Sequence, residues 1–162
     1  MNTVDRVTRH LAHLVRWLSV LMVVTTVAIV VARYVFEASS ITLQESVMYM
    51  HGLMFMIGIP YGIAQNTHVR VDLLYNRLSP QRKAMVNCAG HVLFLVPLCV
   101  FILVTSWTYV GASWRVLEGS SEVGGIPGIF LLKTLIPVTA GLMLLQALSE
   151  IAKTVTALRG RT

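Results

Sequence analysis

The chain has 162 residues, 56% of them hydrophobic and only 12% charged, and its mean hydropathy is +0.72, whereas an ordinary soluble domain is about 25% charged. That balance excludes a soluble globular domain and indicates an integral membrane protein. The net charge of +6 clusters at the ends of apolar runs, where it sets orientation and meets anionic lipid rather than nucleic acid.

Residues 4–16 set Val4, Val7, Leu11 and Leu14 on one side of a helix and Arg6, Arg9, His13 and Arg16 mostly on the other. This is a basic, amphipathic lead-in. The apolar run 17–32 follows, flanked by Trp17 and Tyr34 and bounded by Arg16 and Arg33. It exceeds the h-region of about 7–15 residues typical of a signal peptide, and no A-x-A pattern follows it, so it reads as an uncleaved first span at about 15–36.

The second span covers about 43–64. It opens at Gln44-Glu45, and no Asp, Glu, Lys or Arg occurs from 47 to 64. At about 1.5 Å per residue such a run crosses a hydrocarbon core of about 30 Å. Its Gly58-Ile59-Pro60-Tyr61-Gly62 places small residues four apart, the spacing that lets another helix approach closely, or simply two glycines in a membrane helix where glycine is common. Pro60 removes the bond to the Met56 carbonyl and is expected to kink the helix. The chain leaves through His68-Val69-Arg70-Val71-Asp72, and Val71, Leu74, Tyr75 and Leu78 then form the stripe of a short helix lying in the interface. Ser79-Pro80 supplies an N-cap and a first helical residue for the next element.

The third span is placed at about 82–112. The whole uncharged stretch from 84 to 114 is longer than a bilayer requires, so the helix should tilt or project, with a kink at Pro97. Residues 115–125 are polar and Gly-rich, an exposed loop. Gly125-Ile126-Pro127 opens a fourth span at about 126–148, with Lys133 near its start and Pro137 further in. Glu150, Lys153, Arg159 and Arg161 form a short polar tail. The chain is therefore a single four-span membrane domain, residues 1–162, of all-α class with short interfacial helices. Arg6, Arg9, Arg16, Arg70, Arg77, Arg82, Lys83, Lys153, Arg159 and Arg161 fall on one side, against Arg33, Arg115 and Lys133 on the other. The positive-inside rule makes both termini cytoplasmic.

Cys88 and Cys99 lie about 16 Å apart along one expected helix, beyond disulfide reach, and read as small apolar fillers. No metal-binding His/Cys cluster, phosphate-cradling Gly loop or nucleophile with a base is present in the sequence, so no catalytic, cofactor or metal site is assigned. Ionisable groups inside a membrane are the next place to look for function. His51 and His91 raise a dihistidine haem anchor, although their expected depths differ by several Å. Glu45 raises a proton-coupled four-span exporter, although it stands near a surface and on the second span. Glu45 and Lys133 lie near the same face, either paired or each reaching water.

Taken in order, Gln44-Glu45 opening span two, the Gly-containing span, His68-Val69-Arg70-Val71-Asp72-Leu73-Leu74, the Leu78-Ser79-Pro80 break and Gly125-Ile126-Pro127 resemble the small membrane subunit of the tripartite ATP-independent periplasmic (TRAP) transporters, the DctQ-like family. The resemblance covers about 15–148. The family often has a second acid beside the first and a Trp shortly before it; here Gln44 and Thr42 stand instead. The resemblance implies a non-catalytic inner-membrane subunit that braces a large multi-span partner, with sodium coupling in that partner. A periplasmic binding protein would deliver an organic anion, a carboxylate. From the residues and the resemblance together, the subunit-interface or structural candidates are Glu45, Gly58, Gly62, His68, Arg70, Asp72, Pro127 and Lys133, with membrane lipids as further partners and no cofactor of the chain's own expected.

Overall fold

The computed structural model describes residues 3–65 and 79–159. Over these residues the chain is helical with no strand, and four of its helices are long and apolar enough to cross a membrane. The His68, Arg70 and Asp72 motif and the amphipathic stripe after it lie outside the described residues.

α1 (Thr3–Val35) is one unbroken helix. The amphipathic lead-in is thus continuous with the first span, because no Gly or Pro occurs anywhere from Thr3 to Val35 to break it. It ends where Glu37 takes a left-handed conformation (φ 52°) and the Ala38 N–H turns back to the Ala32 carbonyl at 2.9 Å. α2 (Ile41–Ala64) begins at Ser40, whose hydroxyl accepts the Leu43 N–H at 3.4 Å, the usual satisfaction of an otherwise orphan donor. Pro60 lies inside α2 and its side chain is fully buried.

The third rod, α3, comprises α-helical Pro80–Gly90, a π-helical turn His91–Leu95 and α-helical Val96–Arg115. It starts where Ser79-Pro80 directs it, with the Ser79 hydroxyl accepting the Arg82 N–H. Pro97 cannot donate to the carbonyl four residues back, and the preceding turn widens accordingly: Val96 N–H reaches the His91 carbonyl, a π-type bond. The expected disturbance at Pro97 is therefore a π bulge. α4 spans Ile129–Arg159. It starts two residues beyond Pro127 and runs through the stretch read from sequence as a polar tail.

α1 packs on α2, α2 on α4, and α4 on α3, with α4 also touching α1. α4 is the helix around which the others are arranged. Much of α1 and α3 remains exposed as apolar surface, including Val23, Val27, Phe94, Phe101 and Trp107. In a membrane that surface meets acyl chains or another apolar protein.

Candidate functional site

Polar groups concentrate at the two ends of the helix array. At the loop end, Glu45 stands in the second turn of α2 and reaches across to the α3–α4 connection. One carboxylate oxygen accepts the Ser120 hydroxyl in a short hydrogen bond, and the other accepts the Ile126 backbone N–H at 2.6 Å. The Ser120 hydroxyl also accepts the Glu122 N–H at 3.0 Å, and the Ser120 N–H donates to the Ile126 carbonyl at 3.2 Å. Thr42, one turn earlier on α2, donates to the Gly124 carbonyl at 2.6 Å. The loop read as simply exposed is thus pinned to α2 at three points.

Two glycines make this possible. Gly124 sits at φ +82°, which favours glycine. A Cβ on Gly125 would fall 2.8 Å from a Glu45 carboxylate oxygen and closer still to the Ser120 side chain. Pro127 lies in the connection itself, its Cα 3.3 Å from where a Gly119 Cβ would be. The Gly128 N–H closes a tight turn onto the Ile126 carbonyl at 2.8 Å, and the Phe130 N–H donates to the Glu118 carbonyl, so the loop also caps α4.

Lys133 does not pair with Glu45. Its ammonium binds both oxygens of Glu118 at 2.6 and 2.7 Å and lies 4.3 Å from the centre of the Tyr109 ring. The Lys133 hydrogen bonds hold the Glu118 carboxyl below the ordinary carboxylate range. Close by, the Trp114 indole N–H donates to the Thr134 hydroxyl at 2.8 Å, and the Trp114 ring meets Phe130 edge-on at 4.7 Å. Together these bonds fasten α3 to the start of α4.

A second knot ties the terminal end together. Gln146 on α4 is fully buried, donates to Asp5 at 3.0 Å and to Glu150 at 3.1 Å, and accepts the Thr8 hydroxyl at 3.4 Å. Lys153 completes it, with Asp5 at 2.8 Å and Glu150 at 2.6 Å. The start of α1 is held by Gln146 and Lys153 of the extended α4, with Glu150 bonded to both of them. Asp5, Thr8, Glu150 and Lys153 were missed as site residues in the sequence. The available signal was the polar stripe Gln146, Ser149, Glu150 and Lys153 at i, i+3, i+4 and i+7.

The remaining sequence candidates are scattered. A Cβ on Gly58 would meet nothing within 4 Å, whereas one on Gly52 would press the Leu132 methyl at 3.0 Å, so Gly52 marks the close approach of α2 to α4. Gly62 is half-buried on α2. His51 is exposed and stacks near Phe55 at 6.3 Å, and His91 opens the π turn of α3. Among the described residues no three His, Cys, Asp or Glu side chains come together as metal ligands. Cys88 and Cys99 are free thiols, Cys99 fully buried.

What the molecule presents is therefore a four-helix membrane protein in which Glu45, Lys133, Gln146, Asp5 and Lys153 fasten the chain's own helices and loop together. The chain belongs to the family described as tripartite ATP-independent periplasmic transporters, DctQ component, whose model matches residues 22–157. It is similar to the C4-dicarboxylate TRAP transporter small permease protein DctQ of Vibrio cholerae serotype O1, at 27% identity over 88 residues. That match covers 54% of this chain and 38% of the relative, well under two thirds of the relative's length. Family and helices together make the chain a small membrane component of a TRAP transporter, multi-pass in the bacterial inner membrane.

Proposed function

We propose that the chain acts as a brace: it takes no catalytic role, binds no cofactor, and holds a large multi-span permease subunit in place for uptake of an organic carboxylate. In this reading a periplasmic binding protein delivers the anion, sodium coupling resides in the large subunit, and both termini of the small one are cytoplasmic. The observation that carries it is the engagement of Glu45, Lys133, Asp5 and Lys153 in bonds within the chain. A transport site needs polar groups free to exchange a proton, an ion or an anion near the bilayer midplane. Glu45 in particular has both oxygens occupied by Ser120 and Ile126, which disfavours the proton-coupled exporter.

Among the candidate positions, Glu45, Pro127 and Lys133 serve the chain's own architecture in this proposal. Gly62 and the segment holding His68, Arg70 and Asp72 are assigned to the large subunit. Co-expression with a candidate large TRAP membrane subunit from the same genome, followed by affinity purification through a tag on this chain, tests the reading. Stoichiometric recovery of the large subunit is expected. Loss of recovery on Asp72→Ala but not Arg77→Ala would locate the contact, and absence of the partner in every preparation would refute the brace.

A further inference from the structure

Between α1 and α2, away from both polar knots, lies a cavity of about 330 Å³ bordered by His13, Arg16, Ser19, Met54, Gly58 and Tyr61. We propose that it is a seat for one anionic phospholipid, with the phosphodiester at the His13, Arg16 and Tyr61 end and an acyl chain along Met54 and Gly58.

The depth of the lining residues supports this occupant. Arg16 and Arg33 bound the apolar run of α1 and stand about 26 Å apart at about 1.5 Å per residue, close to the thickness of a hydrocarbon core. Arg16 therefore sits at headgroup level, beside the exposed interfacial indole of Trp17, over which its guanidinium lies at 5.9 Å. α2 runs antiparallel, so Tyr61 shares that level while Gly58 and Met54 lie successively deeper. The cavity passes from a cationic, hydroxyl-bearing mouth to an apolar floor, the polarity sequence of a phospholipid.

Charge and space agree. No carboxylate lines the cavity, and among the described residues none pairs with Arg16. An unpaired guanidinium at a negatively charged leaflet recruits a phosphodiester, to which it can donate two parallel hydrogen bonds. The floor exists because Gly58 has no side chain and nothing else occupies the space within 4 Å of its missing Cβ. The Ser19 hydroxyl already donates to the Arg16 carbonyl at 2.6 Å, so it keeps the wall from presenting a bare donor to an acyl chain.

The test is native mass spectrometry of the full-length chain in mild detergent, titrated with dioleoyl phosphatidylglycerol, dioleoyl phosphatidylethanolamine or inorganic phosphate. One phosphatidylglycerol should be retained per chain, with weaker retention of phosphatidylethanolamine and none of phosphate. Arg16→Gln and Gly58→Leu should each weaken phosphatidylglycerol retention about tenfold, the consequence of losing a charge-assisted hydrogen-bond pair or the chain's seat. Arg82→Gln, an exposed cation at the start of α3, should leave it unchanged. Arg16→Gln lies at an exposed position and keeps the test decisive should Gly58→Leu fold poorly. Equal losses for Arg16→Gln and Arg82→Gln would reduce the effect to general interfacial charge and overturn the seat. Phosphate binding as well as the lipid would also overturn it. So would a Gly58→Leu variant that releases the large permease subunit while keeping phosphatidylglycerol, since the groove would then hold protein.

Discussion

The carboxylate of Glu45 on α2 accepts the backbone N–H of Ile126, 2.6 Å away in the connection leading into α4. Its other oxygen takes the Ser120 hydroxyl, so one side chain organises a loop more than seventy residues later in sequence. Hydrogen bonds to a charged acceptor contribute about 1.5–3 kcal/mol each, and losing one partner leaves the other side unsatisfied. Glu45→Ala is expected to destabilise the purified protein by about 2–3 kcal/mol, read as a lowered unfolding midpoint in detergent. Glu45→Gln, which keeps one acceptor oxygen, should lose less. Unchanged midpoints in both variants would show that the clamp contributes nothing.

The glycines offer a matched pair. Gly125→Ala would push a methyl into Ser120 and Glu45, whereas Gly111→Ala places it in open space on α3. The first should open the loop and destabilise. The second should be neutral or stabilising by up to about 1 kcal/mol, since an alanine leaves the unfolded chain less conformational entropy to lose on folding than a glycine does. Amide hydrogen exchange of residues 118–128 separates them, with faster exchange expected only for Gly125→Ala.

Lys133 and Glu118 predict a pH dependence whose sign follows from the lowered Glu118 pKa. A carboxyl depressed in the folded state from its ordinary 4.5 contributes stability that is present above 4.5 and lost as pH falls through its lower folded value. Wild type should therefore lose stability as pH drops below 4.5. In Lys133→Met that part of the acid limb should flatten, and stability at neutral pH should be lower. A Lys133→Met profile parallel to wild type throughout would contradict the pairing.

At the terminal end, Gln146→Leu keeps the volume but removes the donor to Asp5 and Glu150 and the acceptor for Thr8. Buried groups stripped of partners cost about 1–3 kcal/mol. The variant should fray the start of α1, seen as faster amide exchange over residues 5–15 with the loop end unaffected.

Much of the fold was legible because hydropathy, Ser/Pro capping and charge act locally. Ser40 and Ser79 cap where such residues cap, and four apolar runs became four long helices. Pairing choices were not legible. Lys133 had Glu45 and Glu118 within plausible reach, and only the fold of the loop brings Glu118 to the ammonium while giving Glu45 to backbone and hydroxyl donors. Asp5 drew no attention in the basic lead-in, because, of its partners, Gln146 lies within the fourth span and Lys153 on a helix extension that looked like a tail. Nothing breaks α4 between Leu148 and Arg159, and Gln146 and Lys153 of its polar stripe bond to α1.

The central claim is that this chain supports transport without carrying the substrate. Reconstitution into liposomes with an inward sodium gradient tests it most directly, comparing this chain alone with this chain plus the large subunit and the binding protein, and following uptake of a radiolabelled C4-dicarboxylate and of a panel of other organic acids. Sodium-driven uptake is expected only with the three components together, for at least one acid of the panel, and should survive His51→Leu and His91→Phe once assembly is verified. Uptake by the small chain alone, or abolition by either histidine substitution in a fully assembled complex, would contradict the account.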